Sequence, residues 1–152
     1  MRHTIYLPIF RGSIKVEYEN NIIYRVEYID EVRHVSSDDI VYQLFKRYVD
    51  GLKTDFTRLK IDLNRLTTFQ RNVYQLIREV PYGEVRSYKW VANQLGIKAP
   101  RAIGQALKRN PYIIIVPCHR IIKSNGSIGG YTSIHGVELK RFLLDLEGVK
   151  ID

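Results

Sequence analysis

Residues Ile113-Ile114-Ile115-Val116 form an uninterrupted apolar run that breaks at Pro117 and is followed at once by Cys118, His119 and Arg120. A run of this kind belongs in the interior and reads as strand-like. It delivers a thiol to its end with an imidazole and a guanidinium behind it. Cys118 is the only cysteine in the 152 residues. On residue type alone a lone cysteine is a small buried hydrophobe. A thiol attacks only as thiolate, however, and neighbouring cations or an imidazole lower its pKa toward working pH. The context therefore points to an activated nucleophile.

A single cysteine excludes an internal disulfide and any multi-cysteine zinc site. His3, His34, His119 and His135 show no ligand-like spacing, so neither a metal nor a cofactor is expected. Lys and Arg outnumber Asp and Glu by 24 to 16, a formal charge of +8 that favours a polyanionic partner. Met1 to Phe10 is too short for a membrane span or signal peptide and is interrupted by Pro8, so a reduced, cytoplasmic setting is expected.

In the first half, Ile14, Val16 and Tyr18 alternate with polar residues, and Glu19-Asn20-Asn21 marks a turn into a second strand over 22–29. Ser36-Ser37-Asp38 offers capping oxygens for a helix carrying Ile40, Val41, Leu44, Phe45 and Tyr48, which Gly51 closes. Residues 52–64 read as an edge strand or an extended connection, and the domain boundary is expected there. This gives an α/β unit over 1–64 and a mainly helical unit over 65–152. The second unit opens on a capping box, Thr67 with Gln70, ahead of the stripe Phe69, Val73, Leu76, Ile77 and Val80, which Pro81 and Gly83 end.

Ser87 suits the N-cap of a short helix with Trp90, Val91 and Leu95, closed by Gly96; Pro100 fits the first turn of a second helix running to about Asn110. Two short helices with so tight a link read as helix-turn-helix. In the second, Ala102, Ile103, Ala106 and Leu107 make the buried side. Arg101, Gln105 and Lys108 share the opposite, basic face, and Gly104 with the alanines keeps the helix thin enough to approach a groove. A solvated helical hairpin would show the same spacing.

The Pro117-Cys118-His119-Arg120 string resembles the active-site motif of the O6-alkylguanine-DNA alkyltransferases, the methylated-DNA-protein-cysteine methyltransferases. The resemblance extends through Pro81-Tyr82-Gly83-Glu84-Val85, Ser87-Tyr88, Arg101-Ala102-Ile103-Gly104, Asn110-Pro111, Gly129-Gly130-Tyr131 and Leu146-Glu147-Gly148. It is strong over residues 65–152 and weak before them. It implies a ribonuclease-H-like N-terminal domain and a winged helix-turn-helix C-terminal domain. It also implies direct reversal of O6-alkylguanine in duplex DNA by one irreversible transfer to Cys118.

The same resemblance implies roles. Glu147, at the end of the helix with Leu139, Phe142, Leu143 and Leu146, would orient His119, which reaches Cys118 through a water. Tyr88 would supply a proton to the guanine ring, and Asn110 would tie down the turn before the active-site segment. Carbonyls of Cys118 and Ile121 would read the exocyclic amine, Arg120 would anchor the segment, and Leu107 would line the base pocket. Tyr131 with Thr132 and Ser133 would close over the base, Thr132 or Ser133 donating to O6. Ser87, Arg101, Ala102, Gly104, Gln105 and Lys108 would meet the minor groove, with Arg101 entering the stack vacated by an extruded nucleotide. The protein would act as a monomer, with no membrane partner. Two rivals remain: a lesion-binding alkyltransferase-like module, which lacks the reactive cysteine, and a helix-turn-helix regulator with a redox-sensing thiol. A cysteine hydrolase fits less well, since it would turn over.

Overall fold

The structure is a computed structural model and describes residues 1–131 and 135–151. Strands β1 (His3–Ile9), β2 (Gly12–Glu19) and β3 (Ile22–Ile29) form an antiparallel meander in which Ile5 faces Val16 and Leu7 faces Ile14. Period-2 alternation puts Ile5, Leu7, Ile14, Val16 and Tyr18 on one buried face. In β3 the alternation slips. Glu17 pairs with Arg25 but Tyr18 with Ile23, so Tyr24 is the extra residue of a bulge, and both Ile23 and Val26 reach the core.

Helix α1 (Ile40–Val49) lays Val41, Phe45 and Tyr48 against this sheet. Its cap is Asp39 rather than the Ser36-Ser37-Asp38 group expected from sequence. The Asp39 Oδ1 accepts from Tyr42 N at 3.0 Å, while Ser37 Oγ and the Tyr18 hydroxyl both donate to Oδ2, at 2.8 and 2.5 Å. Three donors on one carboxylate outcompete a single free hydroxyl. The ambiguous stretch after α1 does yield an edge strand, β4 (Lys60–Ile61), parallel to β3.

Helix α2 (Thr68–Ile77) begins with the expected capping box: Gln70 N donates to Thr67 Oγ1 and Thr67 N to Gln70 Oε1. Strand β5 (Arg86–Ser87) leads into α3 (Tyr88–Leu95), capped by Ser87 Oγ and closed by Gly96 at φ +68°. Helix α4 (Pro100–Lys108) starts on its proline, β6 (Ile121–Ile122) pairs in parallel with β5, and α5 (Val137–Leu146) ends the described fold.

The run at 113–116 is buried as expected but is not a strand. Ile114 sits at φ +74°, Ile115 N donates back to Ile113 O, and Val116 N to Tyr112 O, so the chain doubles over in a tight turn. A β-branched residue in the left-handed region is strained. Burial on every side and the bonds across the turn hold it there. The turn also ties the two halves together, because Val26 N of β3 donates to Pro111 O at 2.9 Å and the buried core runs unbroken from Ile5 to Leu143.

Candidate active site and nucleic-acid face

The folded-back turn ends in a 3₁₀ turn, Cys118–Arg120, that puts the sulfur beneath the N-terminus of α3 and beside α4. Asn110, just after α4, builds this geometry as expected. Its Oδ1 accepts from Tyr112 N at 2.8 Å, and its Nδ2 donates to Val116 O at 2.9 Å and to Cys118 Sγ at 3.2 Å. One amide therefore shapes the turn and offers a proton to the sulfur.

His119, Arg120 and Glu147 form a buried cluster under the thiol. Glu147 caps the C-terminus of α5, and its Oε2 accepts from His119 Nε2 at 2.5 Å and from Arg120 Nη2 at 3.1 Å. Its Oε1 accepts from Arg120 Nε at 2.9 Å and from Gly83 N at 3.0 Å. Arg120 also donates to Val80 O, which anchors the active-site segment to the end of α2. Although burial opposes it, these donors hold the Glu147 carboxyl well below the usual carboxylate range. His119 is driven the other way: burial lowers its pKa, and Glu147 only partly offsets that, so the ring is neutral at pH 7. With Nε2–H committed to Glu147, Nδ1 is the basic nitrogen. It is buried without a hydrogen-bond partner among the described residues.

The expectation of a thiol already lowered toward working pH does not hold. Burial pushes the Cys118 thiol up to about 11, against smaller downward pulls from Asn110, Lys140 and Tyr131. Desolvation of a cysteine that is only 3% exposed outweighs its neighbours. The thiol rests protonated, and a base must remove its proton during attack.

Lys140 was missed by the sequence reading. It is fully buried in α5, and its Nζ donates to Ile121 O at 2.6 Å and to Gly130 O at 3.1 Å, with no carboxylate in ion-pair range among the described residues. Burial lowers its pKa to about 8. The signal was its spacing: Lys140, Leu143, Leu144 and Glu147 share one helical face, so the lysine points where the leucines point. The Ile121 carbonyl, expected to read guanine, already accepts from Lys140 Nζ.

A cavity of about 60 Å³ adjoins the sulfur, lined by Tyr88, Gly104, Leu107, Lys108, Gly130 and Tyr131. Larger clefts behind Pro117 and between β3 and the end of α4 do not include Cys118. The structure thus brings Tyr88, Leu107 and Tyr131 to Cys118 as expected. The Tyr131 hydroxyl is buried and pushed up by burial and by the sulfur. Thr132 and Ser133 lie outside the described residues. On α4, Arg101, Gln105 and Lys108 are exposed while Ile103, Ala106 and Leu107 are buried; Ala102 and Gly104 lie between. Nothing stands within 4 Å of where a Gly104 side chain would begin. Ser87 is engaged as the α3 cap.

Cys118 and the basic helix α4 line one cavity, and a buried histidine–glutamate pair stands behind the thiol, which is the arrangement of a nucleic-acid-binding protein with a cysteine nucleophile. Residues 68–149 match the 6-O-methylguanine DNA methyltransferase DNA-binding-domain family. The methylated-DNA–protein-cysteine methyltransferase of Metallosphaera sedula is 47% identical over 108 residues, 69% of this chain and 66% of that protein. The protein of the same name from Saccharolobus islandicus is 39% identical over 142 residues, 92% and 91% of the two chains. The O6-methylguanine methyltransferase of Mycobacterium tuberculosis superposes with a TM-score of 0.81 at 30% identity, covering 97% of this chain and 93% of that one. A second structure of it, in complex with DNA, gives a TM-score of 0.78 at 31% identity, covering 97% and 92%. The chain belongs to the methylated-DNA–protein-cysteine methyltransferase family. Among the described residues no cluster of His, Cys, Asp or Glu could hold a metal, and no helix is long and apolar enough to cross a membrane.

Proposed function

We propose that this protein repairs O6-alkylguanine in double-stranded DNA by moving the alkyl group irreversibly to Cys118. The observation that carries this reading is the buried Cys118 thiol, which lines a cavity walled by α4, is bonded to Asn110 and is backed by the His119–Glu147 pair. His119 Nδ1 takes the thiol proton, relayed by water. The sulfur–carbon bond forms as the bond from carbon to O6 breaks, and guanine keeps that electron pair and gains a proton from the Tyr88 hydroxyl. A thioether has no second cysteine to resolve it, so each molecule acts once. Incubation with O6-methylguanine DNA should add one methyl group per molecule, mapped by intact mass and peptide analysis to Cys118. Turnover beyond one equivalent, or methyl on another residue, overturns the assignment.

We assign residues 65–152 as the DNA-binding and acceptor unit and residues 1–64 as the α/β unit, ribonuclease-H-like in its meander and helix. The α3–α4 pair serves as a helix-turn-helix, with β5 and β6 behind it as the wing. The protein acts as a monomer in the cytoplasm, with α4 in the minor groove and Arg101 replacing the extruded nucleotide; Ser87, Ala102, Gly104 and Gln105 contact the backbone around it. Extrusion costs a few kcal/mol of unstacking, so losing a side chain that fills the gap matters only in duplex. Arg101→Ala should slow repair of duplex DNA by about tenfold and leave reaction with free O6-benzylguanine unchanged. Equal loss on both substrates would assign Arg101 to the fold instead.

A further inference from the structure

Tyr48 has no place in the mechanism above, yet its hydroxyl lies inside the relay. It comes from α1, 99 residues from Glu147 along the chain, and donates to Glu147 Oε2 at 2.6 Å. The Tyr48 Oη also lies 3.3 Å from His119 Nε2. We infer that Tyr48 is a positioning residue of the His119–Glu147 relay, a hydroxyl from the N-terminal half that shares the carboxylate with the imidazole and keeps Nδ1 as the base. This rests on the alkyl-transfer reading.

A phenol carries one proton, and beside a buried carboxylate that proton goes to Glu147; burial and Glu147 push the Tyr48 hydroxyl far above its usual range, so it stays a donor. Its lone pairs then face His119 Nε2–H. Two acceptors, Glu147 Oε2 and Tyr48 Oη, thus stand against one ring nitrogen, which fixes the proton there and leaves Nδ1 open. The groups facing His119 are Glu147 and Lys140 at α5, Cys118 and Arg120 on its own segment, Tyr131, and Tyr48. Of these only Tyr48 belongs to residues 1–64. Each donor to Glu147 spreads its negative charge and so limits how strongly the carboxylate favours the imidazolium. The Tyr48 ring packs against Phe56 and Tyr82, at centroid distances of 5.8 and 6.0 Å. Phenylalanine retains that packing and removes only the hydroxyl.

Tyr48→Phe should therefore change basicity more than fold. With one donor gone, more charge on Glu147 faces His119, the imidazolium is favoured, and the acid limb of the alkylation rate moves up by about one pH unit. The rate of O6-benzylguanine transfer to Cys118, followed by intact mass from pH 5 to 8, should fall about tenfold below the limb and stay within about twofold above it. Nitrogen-15 shifts of His119 in unreacted protein should show the protonated Nε2 in wild type and a raised titration midpoint in Tyr48→Phe. An unmoved or lowered midpoint overturns the inference. So does a wild-type ring protonated at Nδ1, a measurement that does not require the variant to fold. Wild-type protein that acquires no benzyl group contradicts the repair reading instead, and the nitrogen shifts still decide the role of Tyr48.

Discussion

Glu147→Gln protein is expected to alkylate Cys118 about 10²- to 10⁴-fold more slowly than wild type, the range general-base assistance supplies. The amide is nearly the same size, so the loss comes from charge. Without the carboxylate no negative charge faces the imidazolium that forms when His119 Nδ1 takes the thiol proton, and that proton must leave a thiol held up at about 11. The same change strands Arg120, which is buried and gives Glu147 two of its bonds; breaking a buried pair from one side costs about 3–5 kcal/mol. Rates must therefore be read well below the melting temperature, alongside duplex affinity, which should hold. Because folding lowers the pKa of Glu147, its contribution to stability is present above the unfolded value of about 4.3 and is lost as pH falls toward the folded value. Wild type should lose stability steadily on acidification below about pH 5, and Glu147→Gln should lose much less. A variant reacting at the wild-type rate would remove Glu147 from the relay.

The parts of this site legible in the sequence were those fixed by local chemistry. Thr67 with Gln70, Ser87 with Gly96, and Pro100 each set a helix end within a few residues, so the α2–α3–α4 framework followed from spacing. Cys118, His119, Asn110 and Glu147 came from motif resemblance, and the geometry brings them together. What the sequence hid was set by burial. A four-residue apolar run has the composition of a strand, but Asn110 and the surrounding core bend it into a turn through Ile114. Likewise, counting cations near Cys118 suggested a lowered pKa, whereas the outcome depends on how completely water is excluded. Tyr48 entered only as part of the apolar stripe of α1 because its partner is distant in sequence, and Lys140 drew no reading although it occupies the leucine face of α5.

That lysine predicts an upper pH limit for the reaction. Its charge is buried, with no carboxylate in ion-pair range among the described residues, and it pulls the Cys118 thiol down while burial pushes it up. Folding lowers the Lys140 pKa from 10.5 to about 8, so the unfolded chain binds more protons between those values and stability should rise with pH across that window. Activity should move the opposite way. Above about pH 8 the ammonium is lost, the thiolate loses its cation, and alkylation should slow even as hydroxide increases. Lys140→Met keeps the length of the side chain without the charge. It should react about 10- to 1000-fold more slowly at pH 7, since a nearby opposite charge is worth about one to three pKa units to an anion. It should also lack the alkaline fall and flatten the rise in stability between about pH 8 and 10.5. Ile121 O and Gly130 O lose their donor in this variant, so its stability at neutral pH should drop as well, by about 1–3 kcal/mol for each carbonyl left buried and unpaired. The shape of the rate profile separates the two effects. If the variant is slow at pH 7 yet retains the wild-type alkaline limb, Lys140 only holds the Gly130 and Ile121 carbonyls in place, and the ammonium has no electrostatic part in forming the thiolate.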